Sequence, residues 1–427
     1  MRRHTRWAVL LSVAACGLLR VGVWAADWPQ WRGVNRDGHS SEKGLLKEWP
    51  KEGPKLLWQV NDLGRGYATP SIAGGRIFLM ANQGLEDEFV IALSVADGKK
   101  VWSTRIGKVG NPDQKPNFPA ARSTPTVDGA AVYALGSDGD LVCLESATGK
   151  LRWKKSLRAD FGGLAPTWAY AESPLVDGDV LVCVPGGSDA TIVALDKRSG
   201  NVIWKSSVPG GGMAGYASVI IDTVGGIKQY VAYMASGVLG VEAKTGRFLW
   251  KYEKTKGSMG MSMATPVASE GYVYSGATRV GGGAVKLAVA EGTVTAEEAY
   301  FDPKLPTAIG GTVLVGPYLY GTSQAMMCVE FKTGQVKWNE RGIGAASLAY
   351  ADGLLYLHGE GGEVALIEAS PEAYKEKGRF TPPEAPVHAN QMEKSWAYPV
   401  IADGRLYIRD LDMLWCYDVR AVPQRER

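Results

Sequence analysis

Residues 123–153 read STPTVDGAAVYALGSDGDLVCLESATGKLRW, and this stretch contains the pattern that decides the fold. Four short runs with alternating apolar positions are separated by turns rich in glycine and aspartate. The stretch ends on Thr-Gly, three further residues and a tryptophan, a signature written TGxxxW. Alternation over short runs between Asp-Gly turns is typical of antiparallel strands joined by hairpins. The stretch therefore predicts one four-stranded antiparallel sheet.

The same pattern recurs along the chain with a period of about 45 residues. Repeat five carries AEEAYFD (296–302) where the tryptophan strand is expected, and repeat seven ends on Phe380. Sheets that repeat in this way bury their apolar faces against their neighbours, and a ring of them is a β-propeller. The eight first strands are predicted to begin near Thr69, Thr124, Ser173, Ser218, Thr265, Thr312, Ser347 and Tyr398.

The two ends of the repeat array predict how the ring closes. The last repeat stops at Val419 after three strands, whereas an extra strand-like run, LLWQV at 56–60, precedes the first repeat. Pairing the two removes an exposed sheet edge. We therefore predict an all-β, eight-bladed propeller of four-stranded antiparallel blades, a single domain over 26–427, whose last blade is completed by residues 56–60.

The N-terminus has the features of an export signal over residues 1–25. Three arginines within the first six residues precede an apolar run at 7–15 that is too short to span a bilayer. Two routes of processing stay open: cleavage before Ala26, or lipid attachment at Cys16 in a sequence that resembles a lipobox. The mature chain is expected in the periplasm or cell envelope, with no transmembrane segment.

Composition excludes several classes of function. A net charge of +3 provides no basic field for nucleic acid. Four histidines and no CxxCH sequence leave little material for a histidine-based triad, a zinc site or haem attachment. The cysteines outside the signal lie in apolar strand-like runs, which predicts buried thiols, although a bridge between Cys143 and Cys183 stays open.

Several parts of the sequence carry a resemblance to a known family: WPQWRG at 28–33 with RDG at 36–38, the TGxxxW repeats, ASPEAYKEKGRF at 369–380, and SWAYPVIADGRLYIRDLDMLWCYDV at 395–419. Together they resemble the PQQ-binding-like β-propeller repeat family over nearly the whole mature chain. The resemblance implies the propeller fold. It says less about activity, because the family includes quinoprotein alcohol dehydrogenases as well as non-enzymatic outer-membrane assembly propellers of the BamB type.

In a propeller, the connections from the outer strand of one blade to the inner strand of the next meet at one end of the channel, here called the mouth. Their side chains predict a ligand held between aromatic rings, with Arg65 or Arg122 binding an anionic group. The alternative is that the rings only cover the channel and Arg122 pairs with Glu172. The candidate ligand-binding residues are Arg65, Tyr67, Arg122, Trp168, Tyr170, Glu172, Tyr216, Met263 and Trp396.

Two long proline-rich connections, 107–121 and 381–394, are expected to contact a partner or cap the ring. We predict an exported, non-enzymatic propeller that binds a protein or envelope polymer through this face, in outer-membrane or cell-envelope biogenesis. One alternative is a glycan-binding propeller that uses Trp168, Tyr170 and Trp396. No catalytic residue and no metal site is assigned.

The other alternative is a PQQ-dependent oxidoreductase acting on alcohols or sugars. Resemblance to the quinoprotein enzymes would imply PQQ over the channel, with calcium held by Glu, Asn and Asp side chains. Here Glu172 is the only acid among the mouth residues, and the adjacent cysteine pair typical of those enzymes is missing. A lone carboxylate cannot both neutralise calcium and act as a base. PQQ with calcium is therefore expected only under this alternative.

Overall fold

The computed structural model describes residues 27–111, 113, 121–389 and 391–421. These residues form eight four-stranded antiparallel sheets, one of them extended by a short parallel strand. The predicted eight-bladed propeller is therefore confirmed. The predicted signal at 1–25, including Cys16, lies outside the described residues, so the signal and the start of the domain stay predictions.

Each blade is named by its order along the chain, and its strands run from the channel outward. Blade 1 consists of Ser71–Ala73, Arg76–Gln83, Asp87–Ser94 and Lys100–Lys108, and blade 2 of Thr126–Asp128, Ala131–Leu135, Asp140–Glu145 and Leu151–Ser156. Blade 3 consists of Leu175–Asp177, Val180–Cys183, Ile192–Asp196 and Val202–Ser206, and blade 4 of Ile220–Val224, Ile227–Met234, Gly237–Glu242 and Phe248–Tyr252. Blade 5 consists of Val267–Ser269, Tyr272–Ala277, Gly281–Ala290 and Thr293–Asp302, and blade 6 of Thr312–Val315, Tyr318–Thr322, Met326–Glu330 and Val336–Glu340. Blade 7 consists of Ala346–Ala351, Leu354–Gly359, Val364–Glu368 and Glu376–Phe380, and blade 8 of Val400–Ala402, Arg405–Asp410, Met413–Asp418 and Lys55–Val60. Outside the sheets, the described residues contain one short α-helix, Leu157–Phe161, and one 3-10 turn, Ser258–Gly260.

The inner strands begin within two residues of the predicted positions, and the hydroxyl residues at those positions link neighbouring blades. Thr124 donates its backbone N–H to the Oγ of Ser173, and Ser173 donates its own to the Oγ of Ser218, both at 2.9 Å. The proline that follows the threonine or serine in many repeats has no N–H, so the N–H of the threonine or serine is the donor that the pair offers to the neighbouring blade. The threonine- or serine-proline pair that precedes many inner strands, such as Thr124-Pro125, thus has a structural cause.

A tryptophan that corresponds to that of the TGxxxW signature is the third residue of five outer strands, and it packs against the next blade. Trp102 donates its indole N–H to the backbone oxygen of Ser146 at 3.1 Å, and Trp153 donates to that of Lys197 at 3.1 Å. In the divergent blade 5, Tyr300 takes this position and donates to the backbone oxygen of Phe331 at 2.7 Å. An aromatic ring with a polar tip both buries a large area and satisfies a carbonyl, which explains why the position is aromatic.

The ring closes as the sequence predicts. Lys55–Val60 pairs antiparallel with Met413–Asp418, with Trp58 opposite Cys416. Trp58 also donates to the backbone oxygen of Val95 in blade 1 at 3.1 Å. Gly98 lies under this ring with φ +71°, and a Cβ there would be 2.9 Å from a ring carbon of Trp58. The N-terminal strand therefore joins the last blade to the first.

A buried arginine strengthens the same junction. Arg409 of blade 8 has no solvent exposure, and its Nη1 donates to the backbone oxygens of Ala68 at 2.9 Å and Met80 at 2.7 Å. Burial lowers the pKa of Arg409 to about 9. The guanidinium is stabilised by these carbonyl groups of blade 1, which ties the blade that closes the ring to the blade that begins it.

Residues 28–40 cross the channel beneath the mouth, and we call this segment the plug. Arg32 and Arg36 are buried within it and adopt left-handed backbone angles, φ +58° and +60°. The final two residues, His39–Ser40, pair in parallel with the inner strand of blade 7. The plug forms hydrogen bonds with residues at or beside seven inner strands: Ile72, Val127, Ser173, Val219, Thr265, Thr312 and Tyr350. It therefore closes the channel with the chain's own polar groups.

The cysteines behave as the sequence predicts. Cys143, Cys183, Cys328 and Cys416 are buried, and each is a free thiol, so the bridge left open between Cys143 and Cys183 is not formed. Burial raises the pKa of Cys416 to about 12. Within the part of the chain that the structure describes, no helix has the length and apolarity required to cross a membrane.

Candidate functional site

A cavity of about 310 Å³ opens at the mouth, and connections from seven of the eight blades contribute to its wall. Its size is at the lower end of the range for small-ligand pockets. The structure brings six of the nine predicted residues together in this wall, although binding itself stays a prediction. The lining residues are Trp31, Tyr67, Arg122, Trp168, Ala171, Tyr216, Ser218, Met263, Ile309, Met392, Trp396 and Tyr398.

Aromatic rings meet in pairs around the cavity. Tyr67 and Trp396 have ring centroids 4.8 Å apart, and Trp168 and Tyr216 have centroids 6.1 Å apart. The backbone N–H of Trp168 also donates to the hydroxyl of Tyr216 at 2.9 Å. Paired rings hold one another in place, so the wall presents fixed apolar surfaces.

The plug provides the floor of the cavity. Trp31 packs edge-on against Tyr398 with centroids 4.6 Å apart, and its indole N–H donates to the Oγ1 of Thr265 at 2.9 Å. Tyr398 donates to the backbone oxygen of Ile309 at 3.0 Å, and burial raises its pKa to about 12. Tyr398 therefore stays a neutral donor. The cavity is blind, because the channel beneath it contains the plug.

Arg122 is the one charged residue among the described residues of the wall. It donates to the backbone oxygen of Trp168, and its guanidinium carbon lies 5.9 Å from the centre of the Tyr67 ring. Burial lowers the pKa of Arg122. The hydroxyl of Tyr67 is buried and has no hydrogen-bond partner among the described residues, and its pKa is raised by burial. A bound group that accepts a hydrogen bond could satisfy this hydroxyl.

Two predicted mouth residues lie in the core instead. Tyr170 is 1% exposed, and its hydroxyl donates to the backbone oxygen of Pro185 at 2.8 Å. Glu172 is 2% exposed and accepts a hydrogen bond from the N–H of Val184. Both predictions of a wall position were wrong. The cause is Ala169, whose φ of +70° interrupts the alternation of side chains after Trp168.

Glu172 also has a different charge partner from the one expected. The alternative interpretation paired it with Arg122, but the positive charge that acts on it is that of Arg36 in the plug. Burial nevertheless raises the pKa of Glu172 to about 8. One of its oxygens, Oε2, is buried without a hydrogen-bond partner among the described residues. Glu172 therefore belongs to the contact between blade 3 and the plug.

Arg65 lies at the rim, outside the wall, where it holds the 381–394 connection. Its Nη2 is 2.8 Å from Oε1 of Glu393, a carboxylate that is 3% exposed. His388 binds Oδ2 of Asp410 at 3.0 Å, and this hydrogen bond raises the pKa of His388. Met392, 53% exposed, joins the cavity wall from the same connection. Most of the 107–121 connection lies outside the described residues.

The residues present do not fit calcium with PQQ. Calcium takes six to eight oxygen ligands, with carboxylates among them. The wall residues that the structure describes include no carboxylate, and Glu172 lies in the core, where it accepts from the N–H of Val184 and faces the charge of Arg36. Among the described residues, no group of three or more His, Cys, Asp or Glu side chains is placed to hold a metal. The described residues therefore do not provide the ligands that calcium with PQQ requires.

Sequence reasoning missed Trp31 in the plug, and several residues of the blade connections, as parts of the wall. Trp31 belongs to WPQWRG, which was used only for the family resemblance, although two tryptophans so close together in an N-terminal segment are a signal of a fixed packing role. Ser218 and Tyr398 were recognised as starts of inner strands but not as wall residues. Met392 lies in a connection that was predicted to make contacts, without any single residue being chosen.

Comparison with known proteins assigns this chain to a family. Residues 38–115 and 86–340 match the family model described as outer membrane protein assembly factor BamB. The protein of that name from Moranella endobia is 27% identical over 203 residues, which is 45% of this chain and 48% of the relative. The chain spans about half the length of the curated relatives it matches.

Solved structures share the fold at low identity. BamB from Moraxella catarrhalis has a TM-score of 0.59 and 14% identity, covering 87% of this chain and 98% of that one. Quinohemoprotein alcohol dehydrogenase from Comamonas testosteroni has a TM-score of 0.64 and 13% identity, covering 94% and 82%. These likenesses concern the fold alone. Through its repeats and the match over most of its length, the chain belongs to the PQQ-like repeat β-propeller family whose model is described as outer membrane protein assembly factor BamB.

Proposed function

We propose that this protein is a non-enzymatic propeller of the cell envelope that binds extended protein segments at its mouth and acts as a scaffold in outer-membrane protein assembly. The family to which the chain belongs, and the relatives named outer membrane protein assembly factor BamB, support the choice of process. The predicted export signal supports the choice of compartment. The wall of the cavity supports the choice of ligand.

The observation that carries the proposal is the composition of the wall. Six aromatic rings, two methionines and one isoleucine surround a blind cavity, and Arg122 is its single charged group within the described part of the chain. An apolar side chain that binds against such a wall is stabilised by about 25 cal/mol for each Å² of apolar surface removed from water. Aromatic and methionine side chains are also enriched where proteins contact one another. An apolar side chain of an unfolded segment fits this environment.

The rim adds a means of holding the rest of the segment. The 381–394 connection reaches the mouth and is held by the contacts of Arg65 and His388. It presents Val387, which is 86% exposed, as well as Met392. Large apolar side chains that are so exposed near a pocket are typical of a contact surface. The cavity would bind one anchor residue and the connection would contact the chain on either side.

The experiment uses a defined probe, an outer-membrane β-barrel protein unfolded in urea, labelled with a fluorophore and diluted into the purified propeller. Anisotropy measures the dissociation constant. Trp168→Ala removes a wall residue and is expected to weaken binding by about 30-fold, because anchor tryptophans at interfaces contribute about 2 kcal/mol or more. The matched control is Ile203→Ala, which removes a 51% exposed apolar residue on the outer strand of blade 3.

Two outcomes would contradict the proposal. The first is equal affinity of the wild type, Trp168→Ala and Ile203→Ala for the unfolded probe. The second is saturable binding of PQQ in the presence of calcium, together with dye reduction when an alcohol is added, which would support an oxidoreductase instead. Titration of the same preparations with PQQ and calcium distinguishes the two functions directly.

A further inference from the structure

Methionine is concentrated in two neighbouring connections at the mouth. Four of the 11 methionines of the chain lie there: Met213 before blade 4, and Met259, Met261 and Met263 before blade 5. The last three alternate in the sequence SMGMSM at 258–263. The proposed function uses Met263 as part of the cavity wall, but it gives no reason for the other three.

Backbone hydrogen bonds hold the two connections side by side. The carbonyl of Ser262 accepts from the N–H of Tyr216 at 3.0 Å and from that of Ala217 at 3.3 Å. The ε-methyl of Met213 lies next to Gly260, at 4.0 Å from where a Cβ on that glycine would be. Met213 is therefore close to the segment that carries Met261 and Met263.

The methionines that flank this junction are accessible. Met261 and Met263 are half-buried, whereas Ser262 between them has no exposure. Met213 is half-buried as well. A methionine used only as core filling would be expected to be buried, as Met326 is in blade 6. These three side chains thus keep contact with solvent while their backbones are fixed.

From this arrangement we infer that Met213, Met261 and Met263 form a thioether site for a soft monovalent cation, Cu(I). Thioether sulfur is a soft, uncharged ligand, and soft sulfur ligands select Cu(I) over the harder divalent ions. A thioether has no proton to lose on binding, so the affinity of this site is independent of pH in the neutral range, unlike that of a cysteine or histidine site.

An exposed methionine surface also has a second use, as an adaptable apolar contact for a protein partner. Substitution by leucine separates the two uses. Leucine keeps the volume and the apolar character of methionine but has no sulfur. Met213→Leu/Met261→Leu, which changes two positions outside the cavity wall, is thus expected to retain binding of the unfolded probe described above and to lose binding of the ion.

The test begins with the wild-type protein labelled with ¹³C at the methionine methyl groups. Titration with Ag(I), a redox-inert substitute for Cu(I), is expected to shift the methyl signals of Met213, Met261 and Met263 and to leave that of Met326 unchanged. Cu(I) affinity is then measured without oxygen, with ascorbate as reductant and bicinchoninate as competitor. The double leucine variant is expected to bind at least about 100-fold more weakly, since even the partners of metal ligands contribute about 10- to 100-fold. Met326→Leu serves as the control and keeps wild-type affinity.

Failure of this inference differs from failure of the proposed function. Methyl shifts spread over all methionines, or Cu(I) affinity unchanged in the double leucine variant, would overturn the thioether site while leaving protein binding intact. The methyl titration needs no variant, so a leucine variant that folds poorly cannot hide the result. The opposite outcome is that Met213, Met261 and Met263 bind the ion while Trp168→Ala and the wild type bind the unfolded probe equally well. That result would contradict the scaffold function and support the thioether site.

Discussion

Closure of the ring predicts a difference between two glycine substitutions. Gly98 and Gly75 have nearly the same left-handed angle, φ +71° and +74°. An added Cβ at Gly75 meets no atom within 4 Å, whereas at Gly98 it lies 2.5 Å from Cγ2 of Val60 and 2.9 Å from Cε3 of Trp58. Both alanine variants carry the backbone strain, but only Gly98→Ala also crowds the closing strand.

The expected magnitudes follow from that geometry. The left-handed conformation costs an alanine about 1–2 kcal/mol in either variant. Overpacking a close contact adds about 1–3 kcal/mol, which falls on Gly98→Ala alone. Urea unfolding of the purified variants, followed by tryptophan fluorescence, gives the free energies of unfolding by linear extrapolation. Equal losses in the two variants would refute the packing of residues 55–60 against blade 1.

Two further predictions concern buried charges. Burial raises the pKa of Glu88 from 4.5 to about 7. Because the pKa is higher in the folded state, the protonated side chain contributes its full stabilisation below pH 4.5, and this contribution is lost as the pH rises through about 7. The free energy of unfolding is expected to differ by about 3 kcal/mol between these two pH values. Glu88→Gln should therefore flatten the fall of the melting temperature between pH 4.5 and 7, and an unchanged slope would contradict this cause. Arg409→Met leaves carbonyls of blade 1 without donors and is expected to cost about 3 kcal/mol in urea unfolding, whereas Arg198→Met, which removes an exposed ion pair with Asp179, should cost less than about 1 kcal/mol. Similar losses for the two arginines would show that Arg409 does not tie blade 8 to blade 1.

The blades could be predicted from the sequence because the residues that determine each sheet all lie within one repeat. The turn residues, the alternation and the terminal aromatic lie within about 45 residues of one another, so local patterns define every sheet. Closure was also predictable, since a three-stranded last repeat and an extra N-terminal strand complement each other. The pairing of Trp58 with Cys416 confirms this reasoning.

The plug could not be predicted in the same way. Its contacts join Arg32 and Arg36 to inner strands that lie more than a hundred residues away in the sequence. They also require left-handed backbone angles at two arginines, which non-glycine residues adopt rarely. The error at Tyr170 and Glu172 has a similar origin, because one left-handed residue, Ala169, changes which side chains face the cavity.

Binding at the mouth is tested most directly by locating the residues of the propeller that an unfolded outer-membrane protein contacts. A photo-crosslinking amino acid replaces Met392 at the mouth in one variant and Ile203 on the outer strand of blade 3 in another, positions with similar exposure of 53% and 51%. Illumination with the unfolded probe is expected to produce a crosslinked band from position 392 and none from position 203. Crosslinks of equal yield at the two positions, or from position 203 alone, would contradict binding at the mouth.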